Sequence, residues 1–118
     1  MKKRYRYFSV EQLGDETMVT MTVKDFRNQV ANVEMKSEFV KYAQEDKPKH
    51  LIVNFENVVL FSTELIGTML SIKKLRGEDG ELKLCCMEEI LRDVFRLLRL
   101  DGTVFEIYDT VNSARKAF

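Results

Sequence analysis

Ser62, Thr63 and Glu64 set two hydroxyls and a carboxylate side by side, just ahead of an apolar stripe that opens with Leu65 and Ile66. Upstream lie the apolar run Leu51 to Phe55 and a short bridge, Val58 to Phe61. Strand, bridge and helix in that order put the polar triplet on a helix N-terminus. Unpaired backbone N–H groups and the macrodipole favour negative charge there, so the chemistry on offer is making or reading a phosphate. The same residues also serve plain helix initiation. Serine is a favoured N-cap worth about 0.5 to 2 kcal/mol over alanine, and a first-turn glutamate gains ~0.3 to 1 kcal/mol from the dipole. Both readings stand on the sequence.

Catalytic inventories are missing from the chain. There is no G-x-x-x-x-G-K-[ST] phosphate loop and no G-x-G-x-x-G, and the one histidine, His50, has no serine or cysteine nucleophile motif around it. Cys85 and Cys86 are adjacent. Successive strand residues point to opposite faces, so a disulfide between them would be strained, and they lack the C-x-x-C and histidine partners of a metal site. Packed free thiols in a reducing compartment are expected. Glu88-Glu89, and Glu11 with Asp15, read as solvated charges. The expectation is a protein that is not an enzyme and uses no cofactor and no metal.

With 118 residues, 45% of them hydrophobic, the chain suits one domain over residues 1–118. Lys plus Arg and Asp plus Glu number 19 each, so no global field draws it to nucleic acid or an anionic membrane. No run approaches the ~20 apolar residues of a membrane span, and the opening MKKRYRYFSV lacks a signal-peptide core, so a cytoplasmic protein is expected.

The elements that must position the triplet follow from periodicity. Tyr5 to Val10 and Thr17 to Val23 alternate around Gly14-Asp15 and predict a hairpin. Lys24 to Asn32 reads as a loop. Val33, Phe39, Val40 and Ala43 predict a helix from Val33 to Glu45 ahead of Pro48. Leu51 to Phe55, nearly unbroken in apolar character, predicts a central strand covered on both faces. The next helix carries Leu65, Ile66, Met69, Leu70 and Ile72, then Lys73, Lys74 and Arg76 before Gly77 stops it. Within it, Gly67 costs about 1 kcal/mol against alanine, and close packing on another backbone is the expected reason. Glu81 to Cys86 predicts a strand and Glu88 to Leu100 an amphipathic helix of Ile90, Leu91, Val94, Phe95, Leu97 and Leu98. A strand from Val104 to Tyr108 and a capped helix from Asp109 or Thr110 to Phe118 close the chain. The order β-β-α-β-α-β-α-β-α calls for an α/β fold: a mixed sheet with parallel central strands and about four helices.

Ile52-Val53-Asn54-Phe55, the bridge Val58-Val59-Leu60-Phe61 and Ser62-Thr63-Glu64-Leu65-Ile66-Gly67 resemble the sulfate-transporter and anti-sigma-factor-antagonist domain family, STAS. There a strand of the type V-L-D-L, a bridge V-D-F-M and the motif D-S-S-G-L-G occur in that order. The closing Ile107-Tyr108-Asp109-Thr110, with Ala114 four residues on, is similar to the family's I-Y-D-S-x-x-x-A. The resemblance implies the STAS fold from about the second strand onward. It also implies a bacterial anti-sigma factor antagonist that binds an anti-sigma factor or related ATP-binding kinase, acting in signal transduction and transcription regulation. Aligned on Gly67, the family's aspartate falls on Ser62, its first serine on Thr63, its phosphorylated serine on Glu64 and its first glycine on Leu65. Glu64 thus offers a fixed negative charge where a phosphorylatable hydroxyl stands in the family, and Thr63 is an alternative acceptor. Asp25 falls near a phosphate-neighbouring acidic residue. The implied partner-binding set is Asp25, Ser62, Thr63, Glu64, Leu65 and Gly67. Two other readings stay open: a scaffold subunit forming homo- or hetero-oligomers with STAS domains, and a small-molecule or nucleotide sensor.

Overall fold

In the computed structural model, which describes residues 2–78 and 80–118, the chain begins with four strands: β1 (Lys2–Arg4), β2 (Phe8–Leu13), β3 (Glu16–Met21) and β4 (Asp25–Phe26). Helix α1 (Gln29–Asp46), β5 (His50–Asn54), β6 (Leu60–Phe61) and α2 (Thr63–Arg76) follow. The chain closes with β7 (Glu81–Cys85), α3 (Glu89–Leu97), β8 (Glu106–Tyr108) and α4 (Val111–Lys116). The main sheet has the order β1-β2-β3-β5-β7-β8. Strand β2 runs antiparallel to both of its neighbours, β1 and β3, while β3, β5, β7 and β8 run parallel.

Strand β5 is central, as its apolar run requires. Leu51 and Val53 enter the large core with Phe8, Phe39, Leu65 and Met69, while Ile52 turns the other way toward Cys85 and Ala114 of α4. All three are fully buried. Each such side chain contributes about 1.5 to 3 kcal/mol of transfer free energy, and removing water from both faces leaves the strand no reason to sit elsewhere.

The predicted loop from Lys24 to Asn32 is wrong in an informative way. Asp25 and Phe26 form β4, which pairs in parallel with β6, Asp25 opposite Leu60 and Phe26 opposite Phe61. Helix α1 then begins at Gln29, four residues before the predicted Val33, because Asn28 caps it: its side-chain oxygen accepts from the Ala31 N–H at 3.1 Å. Val33 is 58% exposed. The buried face is instead Asn32, Met35, Phe39, Tyr42 and Ala43, and an apolar count fails because it opens with an asparagine. Asn32 is accommodated because its Nδ2 donates to the carbonyls of Phe26 and Asn28, at 2.6 and 2.9 Å.

Further corrections concern ends and faces. The hairpin strands lie at Phe8–Leu13 and Glu16–Met21, and the basic opening forms the edge strand β1, where charges discourage further pairing. Helix α3 stops at Leu97, short of Leu100. Arg99 takes the left-handed conformation at φ 58°, with its N–H on the Arg96 carbonyl and the Leu100 N–H on the Phe95 carbonyl. That is a Schellman closure made without the usual glycine, which hid it from a search for one. Of the six apolar residues expected on the inner face of α3, only Leu91 and Phe95 are buried; Val94 is partly so, and Ile90, Leu97 and Leu98 face outward. Strand β8 starts at Glu106 rather than Val104, and α4 ends at Lys116 rather than Phe118. The cysteines do not point apart: Cys86 lies just past β7 with φ 62°, which brings its sulfur to 3.5 Å from that of Cys85. Burial raises both thiol pKa values, so the neutral thiol dominates.

Candidate functional site

The small parallel pair β4–β6 decides where α2 begins. Val59 and Leu60 donate their N–H groups to the Lys24 carbonyl at 2.9 and 3.0 Å, and Ser62 donates its own to the Phe26 carbonyl at 3.2 Å. The Phe26 carbonyl also accepts from Asn32 at 2.6 Å and lies 3.4 Å from the Ser62 hydroxyl. One backbone oxygen therefore ties the first turn of α1 to the entry of α2. Asn32, which the sequence reading did not single out, is the side chain that completes this joint. Its own Oδ1 is buried and meets no donor.

Ser62 occupies the N-cap position of α2 in an extended conformation, but its side chain does not cap the helix, against the expectation for a serine there. Its hydroxyl turns to the Phe26 carbonyl instead. The first turn of α2 is thus left without a side-chain cap, and its dipole end faces solvent with Thr63 and Glu64 both exposed. Leu65 is fully buried and anchors the turn in the core. Further along, Thr68 and Ser71 direct their hydroxyls to the Glu64 and Gly67 carbonyls, at 3.2 and 3.1 Å, so both are spent within the helix.

Gly67 corrects the packing expectation. A Cβ built at this position would meet no heavy atom within 4 Å, so no neighbouring backbone requires a glycine. The space beside it is a groove of about 300 Å³ between α1 and α2, walled by Asn32, Val33, Lys36, Glu64 and Thr68. Nothing in the sequence marked Lys36 or Thr68 as groove residues. The signal for the α1 wall was Asn28, a cap residue followed by a helical stretch.

Asp25 is brought close to this site by its pairing opposite Leu60, two residues before Ser62. Its carboxylate is engaged with its own neighbour: Oδ1 accepts from the Arg27 backbone N–H and from Nε, both at 3.0 Å, and Oδ2 from Nη2 at 2.8 Å. These bonds hold the Asp25 pKa below the usual carboxylate range and keep it ionised. The predicted residues therefore fall in one region, with Thr63 and Glu64 exposed, Ser62 and Gly67 half-buried, Leu65 structural and Asp25 in a local ion pair. Such a surface can dock a protein through charge and shape. Among the described residues no group of three His, Cys, Asp or Glu side chains is placed to hold a metal ion, and no helix is long and apolar enough to cross a membrane.

The same architecture recurs in solved structures. An anti-sigma-factor antagonist (STAS) domain protein from Planctomyces limnophilus superposes with a TM-score of 0.82 at 21% identity, over 93% of this chain and 96% of that one. The Bacillus cell-fate determinant SpoIIAA in its phosphorylated form gives a TM-score of 0.68 at 16% identity, over 93% and 97%. A chain from the stressosome, a signal integration and transduction hub, gives 0.67 at 10% identity, over 92% and 93%. Identities this low speak for the fold alone. A comparison with curated proteins finds no match. The model of the STAS domain matches residues 15–114, a span that runs from the turn before β3 into α4 and takes in the whole β4–β6 joint and the α1–α2 groove, so the chain belongs to the STAS domain family.

Proposed function

We propose that this protein is a non-catalytic regulator that binds an anti-sigma factor or related ATP-binding kinase through the N-terminus of α2, with Asp25, Ser62, Thr63, Glu64, Leu65 and Gly67 in or under the contact. The observation that carries the reading is Glu64: an exposed carboxylate on the uncapped first turn of α2, beside an open groove. Glutamate offers part of what a phosphoserine offers, one fixed charge rather than nearly two and fewer acceptor oxygens. Its charge is permanent, so the partner meets a single electrostatic state. The fold shared with SpoIIAA supports this reading. The stressosome neighbour supports a second one, in which the domain is a scaffold subunit assembled with other STAS domains.

Glu64→Ser tests the site. The change removes the fixed charge and costs the fold only the dipole interaction, ~0.3 to 1 kcal/mol, whereas complementary charge across an interface can be worth more. Titration calorimetry of both proteins against the co-purifying kinase-type partner should show affinities differing by about tenfold or more (1.4 kcal/mol). With ATP, only the variant should gain stoichiometric phosphate. Equal affinities would reduce Glu64 to a helix-start residue, and stoichiometric phosphate on Ser62 or Thr63 of the wild type would move the switch.

A further inference from the structure

Helix α3 carries more apolar surface than the fold uses. Leu91 and Phe95 fill the core, yet Ile90, Leu97 and Leu98 are 69%, 80% and 50% exposed, with Val94 partly buried between them. Ile90, Val94 and Leu97 stand at i, i+4 and i+7, on one side of the helix. Scattered surface leucines need no explanation, but a contiguous stripe does.

We infer that this stripe is a self-association surface on which a second copy of the chain packs its own α3 antiparallel about a two-fold axis. This rests on α3 alone and is independent of the α2 reading. The stripe is self-complementary about the step from Asp93 to Val94: reversing the helix sets Ile90 of one copy against Leu97 of the other, as an isologous contact demands. Its charges agree. Glu89 lies in the first turn and Arg96 in the last, so the antiparallel arrangement brings Glu89 of each copy within about 3 Å, along the axis, of Arg96 of the other, an offset their long side chains span. Within one chain Arg96 donates to Asp93 at 2.9 Å and lies 3.5 Å from Asp101, while Glu89, at 3.6 Å and well exposed, is the most loosely held of its partners and the one free to exchange. The antiparallel macrodipoles add to the match. Along α3 Glu89 and Asp93 balance Arg92 and Arg96, so the helix has no excess of positive charge to draw it to an anionic membrane. A nine-residue helix is only about 13 Å long, so the contact is smaller than a standard specific interface and the dimer is weak.

Sedimentation equilibrium of the whole protein from ~10 μM to ~1 mM covers the range in which a weak dimer forms. The expected result is a monomer–dimer equilibrium in the wild type and a monomer throughout for Leu97→Glu, with circular dichroism confirming that the exposed substitution leaves the fold intact. Glu89→Arg and Arg96→Glu should each weaken the dimer about tenfold, and the two together should restore it, because the swap rebuilds the pair across the axis. A monomer at the highest concentration, a dimer indifferent to Leu97→Glu, or a double variant as weak as the single ones would overturn the assignment. So would binding of the wild type, but not of Leu97→Glu, to lipid vesicles or to an unrelated amphipathic helix while the protein stays monomeric.

Discussion

Gly67→Ala should stabilise the fold and weaken partner binding at the same time. A glycine inside a helix costs up to about 1 kcal/mol against alanine, mainly through the freedom it gives the unfolded chain. Overpacking normally takes back part of that gain, but here the new methyl meets no heavy atom within 4 Å. Unfolding entropy near 2.1 cal/mol/K per residue gives about 0.25 kcal/mol/K for a chain of 118 residues, so ~1 kcal/mol raises Tm by about 4 °C. The same methyl fills part of the groove between α1 and α2. A partner seated in that groove must withdraw or tilt, and loss of one close contact region lowers affinity by about tenfold, 1.4 kcal/mol. Differential scanning calorimetry and titration calorimetry on the same two proteins read the two effects. A lower Tm would refute the open-space argument, and a higher Tm with unchanged affinity would remove the groove from the binding surface.

Amide exchange should protect Leu51, Ile52 and Val53 most strongly, because both faces of β5 are covered; exchange as fast as in Lys2–Arg4 would contradict its central place. Asp25 should titrate below the ~3.9 of a free aspartate, since its bonds to Arg27 favour the charged form. A folded pKa below the unfolded one means that the pair's stabilisation is present above the unfolded pKa and is lost as pH falls through the folded one. Carboxyl NMR titrations of wild type and Arg27→Ala check this, and an equal midpoint in the two proteins would count against the pairing.

The central strand, both ends of α2 and the STAS topology were legible because each is written in local signals. Leu51 to Phe55 is apolar but for Asn54, Leu65 opens an apolar stripe, and Gly77, at φ 54°, stops the helix it follows. The joint that builds the site was not legible. Strands β4 and β6 have two residues each, too few for a periodicity, and they exist only because tertiary folding lays one against the other. Asn32 broke the apolar pattern while occupying a core position, since its hydrogen bonds to Phe26 and Asn28 exist only in the folded chain. The same limit explains α3: a hydrophobic count gives the number of apolar residues on a helix but not how wide a face the rest of the fold has room to cover. Val33 shows the reverse error, an apolar residue assigned to the core that lines a groove instead.

Glu64 bears on what kind of regulator the proposed function describes. A serine on an uncapped helix end has two charge states, and a kinase sets the population of each; a glutamate there has one. Interconverting two states of a binding surface from 1:99 to 99:1 takes about 5.5 kcal/mol of differential interaction, which a phosphate with nearly two charges can approach and a constant carboxylate cannot supply at all. On the proposed reading, this domain therefore presents its partner with a permanent surface, and control must come from the partner's nucleotide state, from competition for that partner, or from the concentration of the domain itself. The last route is open to a chain whose α3 leaves apolar side chains in water. Self-association through α3 and binding through α2 engage different helices, so assembling copies would multiply identical, always-charged docking sites without hiding them, and their avidity would grow with each copy able to engage at once.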